Sequence, residues 1–169
     1  NLANLLGQRA SAGKPVRIGL IGAGKFGSMI LAQAQRIDGL HVAGLVDLDV
    51  GKAQASLARV GWPRERYGAA SIGEAVKSGT TCVFDDIQAL LANDSVECVI
   101  ECTGHPIAGV RHALAAIDSG KHVIMVNVEA DVLCGPLLAA RARAQNVIYS
   151  MAYGDQPALI CDLVDWARA

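Results

Sequence analysis

Aromatic residues are scarce in this chain, and neither sign of charge dominates it. Phe, Trp and Tyr make up 4% of the 169 residues whereas 52% are hydrophobic, so Ala, Val, Leu and Ile carry most of the apolar content. This composition favours buried strands flanked by helices, the α/β class. The formal net charge is -1, which excludes the strongly basic surface that nucleic acids and anionic membranes attract. We therefore expect a small-molecule ligand, with no nucleic acid and no membrane as partner.

Long apolar runs are also missing. No run reaches the roughly 18 residues that suggest a membrane-spanning helix. Residues 1–14 lack the charged start and apolar centre of a secretory signal. We therefore expect a cytoplasmic protein, and the length is that of one ordinary domain with a continuous core.

The cysteines form no recognisable disulfide or metal pattern. They are odd in number and widely separated, at positions 82, 98, 102, 134 and 161. Four of them lie in apolar runs, which favours buried free thiols. Cys98 and Cys102 share one face of a predicted strand, but no second Cys/His pair lies nearby to complete a zinc site. We therefore predict no metal site in this chain.

The order of the elements predicts a Rossmann fold, a doubly wound and mostly parallel sheet with helices on both faces. From Val16 onward, short β-branched runs alternate with helix-length amphipathic segments, as in βαβ units. The predicted strands cover residues 16–21, 41–46, 81–84, 96–101, 122–126 and 147–150. The predicted helices cover residues 26–37, 51–60, 87–92, 107–119 and 131–144. Six strands is the number that this fold has.

Other segments surround or interrupt this pattern. We divide the chain into an N-terminal arm, a Rossmann domain and the start of a following domain or linking helix, at residues 1–14, 15–153 and 154–169. The last segment has a helical period that stops without a capping signal, so we expect the chain to be cut off before a substrate domain. Residues 63–77 are an excursion of unassigned role, with a short helix over 71–77 that Ser71 caps and Glu74 supports.

A glycine-rich sequence joins the first predicted strand to the first predicted helix. Residues 22–27 read GAGKFG, with the spacing G-x-G-x-x-G. Gly22 allows a tight turn, Gly24 lets the backbone approach a pyrophosphate, and Gly27 lets the helix pack closely on the strand. The unpaired N–H groups of the helix N-terminus would face the phosphates. Because the motif follows a strand and opens a βαβ unit, it predicts dinucleotide binding rather than a purely structural turn.

Residues near this motif bear on which dinucleotide binds. Lys25 and Phe26, inside the motif, are predicted cofactor contacts. Asp47 ends the second strand, twenty residues after Gly27, and is placed to accept hydrogen bonds from the adenosine ribose. This favours NAD because a 2′-phosphate would meet a carboxylate. However, Lys25 or Lys52 could compensate the negative charge of a 2′-phosphate, and Asp47 could instead be a solvated turn residue. The sequence therefore predicts NAD or NADP as the cofactor.

Polar residues follow the fourth predicted strand, at the edge where open α/β sheets bind ligands. Thr103 and Gly104 are predicted to contact the nicotinamide ribose and the diphosphate, and Pro106 begins the next helix at a permitted position. His105 could carry a proton because imidazole titrates near neutral pH, or it could cap the helix.

The turn after the fifth predicted strand offers another set of candidates. Asn127 could hydrogen-bond the nicotinamide ribose or carboxamide, and Glu129 is the candidate catalytic residue facing substrate. Alternatively, Glu129 favours the N-terminus of the following helix, which Asp131 is expected to cap. Residues 153–157 form a loop that could close over nicotinamide, although Asp155 could simply cap the last helix.

Four sequence stretches resemble a known family. They are GKPVRIGLIGAGKFGSM, VIECTGHP, GKHVIMVNVEADVLCGPLL and YSMAYGDQPALICDLVDWAR. They are similar to the homoserine-dehydrogenase-like NAD(P)-dependent oxidoreductases that carry a C-terminal SAF domain. Within that group the chain resembles the 1-deoxy-D-xylulose 5-phosphate reductoisomerase-like proteins. The resemblance covers nearly the whole chain and is most specific in VNVEAD and AYGDQPALI.

The resemblance implies a longer polypeptide, in which a substrate and dimerisation domain and a SAF module follow a Rossmann domain. It implies a homo-oligomer that acts on an aldehyde, a ketone or a phosphosugar. For the reductoisomerase-like branch it implies NADPH, a divalent metal whose ligands lie mostly beyond this chain, and a role in isoprenoid biosynthesis. The NADPH preference conflicts with Asp47. A nucleotide-sensing module that binds cofactor without turnover is the alternative to an enzyme, and the isolated chain is expected to be inactive.

Overall fold

The centre of the protein is a parallel sheet, seen in a computed structural model that describes residues 2–152 and 158–168. The strands are β1 (Val16–Ile21), β2 (Leu40–Val46), β3 (Cys82–Phe84), β4 (Cys98–Glu101), β5 (His122–Met125) and β6 (Tyr149–Met151). They lie in the order β3-β2-β1-β4-β5-β6, and every pairing is parallel. This is the strand order of the doubly wound fold, so the predicted fold class is confirmed.

Helices connect the strands and cover both faces of the sheet. They are α1 (Leu2–Ser11), α2 (Lys25–Ala34), α3 (Val50–Arg59), α4 (Ile72–Ser78), α5 (Ile87–Leu91), α6 (Pro106–Asp118), α7 (Val128–Ala144) and α8 (Ala158–Arg168), with a 3₁₀ turn at Arg64–Tyr67. Leu20 of β1 packs with α2 and α3 on one face, and Val99 of β4 packs with α6 and α7 on the other. Alternate strand residues therefore supply two separate cores, as a sheet covered on both sides requires.

The beginning of α7 differs from the prediction. The helix starts at Val128, three residues before the predicted start at 131, because Asn127 is its N-cap. The Asn127 Oδ1 atom accepts a hydrogen bond from the Ala130 N–H at 3.1 Å. The expected cap, Asp131, lies inside the helix and instead accepts a hydrogen bond from the Tyr149 hydroxyl at 2.7 Å. Both residues are types that cap helices, and the predicted choice between them was wrong.

The excursion after α3 contributes to the core. Its short helix is α4, and the Ser71 hydroxyl caps it by accepting a hydrogen bond from the Glu74 N–H at 3.1 Å, so the predicted cap is confirmed. The Glu74 carboxylate accepts a hydrogen bond from the Ala70 N–H at 2.8 Å. Ile72 and Ala75 are buried beside β2 and β3. The segment to which the sequence assigned no role therefore covers the edge of the sheet formed by β3 and β2.

The N-terminal arm is a helix that contacts the opposite end of the strands from the glycine-rich turn. Arg9 of α1 forms a salt bridge with Glu97 at 2.7 Å, just before β4. The backbone of α1 also lies so close to Gly39 that a Cβ atom there would be 2.2 Å from the Leu6 carbonyl oxygen. The arm is thus attached to the sheet by an ion pair and a close backbone contact.

The cysteines are all free thiols. Cys82, Cys98 and Cys102 are buried as predicted, Cys134 is half-buried and Cys161 is exposed. Burial, and to a smaller extent the neighbouring carboxylates of Glu97 and Glu101, raises the pKa of Cys98 to about 11 and that of Cys102 to about 12.

Neither a metal-binding cluster nor a membrane-spanning helix is present among the described residues. No group of three or more His, Cys, Asp or Glu side chains among them could hold a metal ion. None of the described helices has the length and apolar character needed to cross a bilayer.

Candidate functional site

The turns after β1 and β4 meet at the centre of one sheet edge. The two strands are neighbours, and the Cys102 N–H donates to the Ile21 carbonyl at 2.8 Å. A Cβ atom on Gly22 would lie 3.0 Å from the Thr103 backbone nitrogen. The chain order reverses between these strands, so their connections leave in opposite directions and open a crevice where such folds bind ligands.

Two glycines of the motif are required by the backbone itself. Gly22 has a φ of +96°, a left-handed conformation that side chains rarely adopt. A Cβ atom on Gly27 would lie 2.1 Å from the Gly22 carbonyl oxygen, so only glycine lets α2 approach the turn this closely. The roles predicted for Gly22 in the turn and Gly27 in helix packing are therefore confirmed.

Gly24 is different, because nothing in the described part of the protein requires it. A Cβ atom there would have no atom of a described residue within 4 Å, and its φ is -68°. Gly24 is the N-cap of α2 and supplies no side-chain hydrogen bond to the helix, whereas Asp49 caps α3 with its carboxylate. The start of α2 thus presents backbone N–H groups and the positive end of the helix dipole to open space. Lys25 and Phe26, both exposed, begin the helix there.

Asp47 lies beside the glycine-rich turn, at the end of β2. One of its carboxylate oxygens accepts a hydrogen bond from the Ala23 N–H at 2.7 Å, and the other accepts one from the Asp49 N–H at 3.1 Å. The carboxylate therefore holds the turn in place from the neighbouring strand. Each oxygen has another lone pair with which to accept a hydrogen bond from a ribose hydroxyl. The expected contact between Asp47 and the adenosine ribose stays a prediction.

Glu101 is a site residue that sequence reasoning missed. Its side chain is 0% exposed, and its Oε1 atom accepts hydrogen bonds from the Thr103 hydroxyl and from the Thr103 N–H at 3.3 Å. The His112 Nδ1 atom, on α6, lies 3.1 Å from the same oxygen. The Oε2 atom is buried and has no hydrogen-bond partner in the described part of the chain. The sequence signal that could have identified it is the carboxylate at the end of the apolar strand CVIE, because charged residues are rarely buried unless they are paired.

These contacts fix the turn that carries two predicted cofactor ligands. Thr103 and Gly104 are exposed at the crevice. His105 caps α6, because its Nδ1 atom accepts a hydrogen bond from the Ala108 N–H at 3.3 Å, so the capping alternative is the one seen. Proton transfer by His105 stays untested.

Asn127 joins the turns after β4 and β5. It is 2% exposed, and its Nδ2 group donates to the His105 carbonyl at 3.0 Å and to the Thr103 hydroxyl at 3.5 Å. The structure therefore places Asn127 beneath the crevice as a support, and its predicted contact with nicotinamide stays a prediction. Glu129 is exposed in the first turn of α7, where a carboxylate also favours the helix dipole. The predicted closing loop at 153–157 lies outside the described residues.

A pocket of about 480 Å³ adjoins the glycine-rich turn on the side of α3. Gly24 and Ser56 contribute to its walls, together with three cationic side chains, Lys25, Lys52 and Arg59. The candidate site therefore consists of the crevice between the two turns and a basic pocket next to it.

Comparisons with known proteins agree with this geometry. A curated relative, the 4-carboxy-2-hydroxymuconate-6-semialdehyde dehydrogenase of Sphingobium, is 32% identical over 108 residues, which cover 64% of this chain and 28% of that enzyme. An NAD-binding oxidoreductase from Klebsiella pneumoniae matches with a TM-score of 0.61 at 22% identity, over 90% of this chain and 39% of that one.

Two further solved structures have the same fold. The homoserine dehydrogenase of Thiobacillus denitrificans matches with a TM-score of 0.61 at 20% identity, over 82% of this chain and 29% of that one. The biliverdin reductase of Synechocystis, solved with biliverdin and NADP+, matches with a TM-score of 0.60 at 19% identity, over 82% of this chain and 38% of that one. At these identities the structural likeness shows the fold alone, and the chain spans well under half the length of each protein.

The family-level match covers the first five strands and the turns after β1 and β4. Residues 16–126, which run from the start of β1 to the end of β5, match the model of the oxidoreductase family with an NAD-binding Rossmann fold. The chain therefore belongs to this family, the GFO/IDH/MocA oxidoreductases.

Proposed function

We propose that this chain is the dinucleotide-binding domain of an NAD(P)-dependent oxidoreductase, with the cofactor pyrophosphate on residues 22–27. The observation that carries the proposal is the start of α2, which no described side chain caps and where no described atom lies within 4 Å of a Gly24 Cβ. Backbone N–H groups at such a helix start bind phosphate oxygens well, because the donors point outward and the helix dipole favours negative charge.

The remaining site residues have roles that follow from their positions. Asp47 holds the turn through Ala23 and would face the adenosine ribose. Thr103 and Gly104, exposed across the crevice, would contact the nicotinamide half. Glu101 and Asn127 hold that second turn in place from below. When bound, the nicotinamide ring accepts or donates a hydride, and these residues would orient it toward the open edge of the sheet.

The substrate half of the reaction is proposed for the larger protein to which such a domain belongs. The Sphingobium relative is by name a semialdehyde dehydrogenase, and a homoserine dehydrogenase shares the fold. Together with the resemblance in VNVEAD and AYGDQPALI, these two similarities support a substrate with a carbonyl group, which would be an aldehyde, a ketone or a phosphosugar. A SAF module, a divalent metal, a homo-oligomeric state and reductoisomerase-like chemistry rest on that resemblance alone. Glu129, exposed near the crevice, is the candidate residue for contact with substrate.

The test is cofactor binding by two matched glycine variants, measured by calorimetry with NADH and NADPH. Gly24→Ala places a methyl group where the pyrophosphate would lie, and we expect it to weaken binding by about 5- to 150-fold, the equivalent of the ~1–3 kcal/mol that overpacking costs. Gly7→Ala is the control, since a Cβ atom at Gly7 of α1 also has nothing within 4 Å, and it should bind as the unmodified chain does.

Two outcomes would contradict the proposal. One is that the folded chain binds neither NADH nor NADPH at millimolar concentration. The other is that Gly24→Ala binds as tightly as Gly7→Ala. A protein that carries this domain and a substrate domain, and that binds cofactor without reducing any carbonyl compound tested, would identify a nucleotide sensor instead of an enzyme.

A further inference from the structure

The basic pocket beside the glycine-rich turn has a composition that suits an anion. It lies between Gly24 and the exposed side of α3, and small residues form its walls, including Ser56. Lys25, Lys52 and Arg59 contribute its charged groups. The small side chains in the walls leave space for a ligand group, and the charged side chains that line the pocket are all positive.

None of these three cations is neutralised by a described residue. The salt bridges in the described part of the chain involve other side chains. Arg59 donates to two neutral oxygens, the Ser28 hydroxyl at 3.0 Å and the Ser56 hydroxyl at 3.3 Å. These bonds hold the guanidinium beside the pocket without cancelling its charge. A cluster of unpaired cations raises the local affinity for a phosphate dianion.

The two carboxylates nearby are directed at backbone N–H groups. Asp47 accepts hydrogen bonds from the Ala23 and Asp49 N–H groups. Asp49 in turn accepts a hydrogen bond from the Lys52 N–H at 2.9 Å, as the cap of α3. The expectation that Asp47 disfavours a 2′-phosphate assumed a carboxylate whose charge faces the ribose. In the structure its two oxygens are directed at the Ala23 and Asp49 N–H groups, and the three cations that line the pocket outnumber these two carboxylates.

We propose that this pocket binds the 2′-phosphate of NADP, with Lys25 and Lys52 as its direct ligands and Arg59 as a supporting charge. The proposal rests on the proposed function, because a dinucleotide held by residues 22–27 extends its adenosine ribose toward the end of β2. The ribose 2′ position would then lie next to the start of α3. The chain therefore prefers NADP(H) over NAD(H).

The experiment compares the dissociation constants of NADP+ and NAD+, measured by calorimetry. We expect the unmodified chain to bind NADP+ about tenfold or more tightly than NAD+, the scale of one or two charge-assisted hydrogen bonds. Lys52→Gln should remove about tenfold of the NADP+ affinity and leave NAD+ binding within roughly twofold. The control is Lys77→Gln, which removes the same charge from the exposed face of α4 and should change neither constant.

A second pair of probes separates the 2′-phosphate from the rest of the cofactor. Adenosine 2′,5′-bisphosphate should bind more tightly than adenosine 5′-monophosphate, and Lys25→Gln and Lys52→Gln should reduce that difference. Equal or tighter binding of NAD+, or an equal loss of both cofactors in Lys52→Gln, would overturn this inference while the proposed function stands. If neither cofactor binds, the proposed function fails and this inference fails with it.

Discussion

Replacing Gly27 by alanine tests the packing of α2 against the turn that precedes it. A Cβ atom at this position would lie 2.1 Å from the Gly22 carbonyl oxygen, whereas real Cβ atoms essentially never come closer than 3.0 Å. The two must therefore separate by about 0.9 Å, the difference between these distances. Because the obstacle is backbone and not a flexible side chain, either the helix or the turn has to move.

Two opposing contributions decide the size of the effect. Alanine in a helix is favoured over glycine by ~0.8–1.0 kcal/mol. Overpacking costs ~1–3 kcal/mol, occasionally more, and a clash with backbone belongs at the upper end. We therefore expect Gly27→Ala to lower the free energy of unfolding by ~1–2 kcal/mol. For a chain of this length that corresponds to a melting temperature about 2–8 °C lower.

The assay is urea denaturation followed by circular dichroism, with Gly24→Ala as the matched variant. Gly24 lies in the same motif but leaves open space for a Cβ atom, so its unfolding midpoint should stay close to that of the unmodified chain. Gly27→Ala should unfold at a lower urea concentration. An unchanged or higher midpoint for Gly27→Ala would refute the argument that close helix packing requires glycine here.

Three further predictions concern Tyr149 and the thiols. Tyr149→Phe removes the hydrogen bond from the hydroxyl to Asp131, which lies at 2.7 Å, and should lower the free energy of unfolding by ~1–3 kcal/mol; unchanged urea denaturation would show that the bond contributes nothing. A thiol-specific reagent at pH 8 should modify the exposed Cys161 quickly and the buried Cys98 and Cys102 only on unfolding. Burial raises the pKa of these two thiols from the ordinary 9.0 to about 11 and about 12, so above pH 9 they ionise in the unfolded chain first. Stability should therefore fall as pH rises above 9, and a flat profile between pH 9 and 11 would contradict this.

The fold was predictable from the sequence because hydrophobic period and turn chemistry act locally. β1 was predicted with its observed bounds, and β5 to within one residue. Prediction failed where two local signals competed. Asn127 and Asp131 are both good caps, and α7 starts after the first of them because Asn127 also donates hydrogen bonds to the neighbouring turn.

The site was predictable in part. The glycine spacing indicated the turn at 22–27, and strand ends indicated Thr103 and Gly104. Glu101 was missed because its role depends on His112, a residue on the following helix. The direction of the Asp47 carboxylate could not be predicted either, since it depends on Ala23 across the gap between β1 and β2.

The order of strands and helices, and the glycine-rich turn between β1 and α2, were determined by the sequence itself. They depend on residue types that act on their own backbone, such as the positive φ of Gly22. Only the tertiary structure decided which polar groups meet. Packing of the sheet and helices brought Asn127 under Thr103 and directed Asp47 at the turn, and it brought Lys25 and Lys52 from separate helices to one pocket. Such contacts join residues far apart in the chain, and their geometry is set by the packed sheet and helices and by no local pattern.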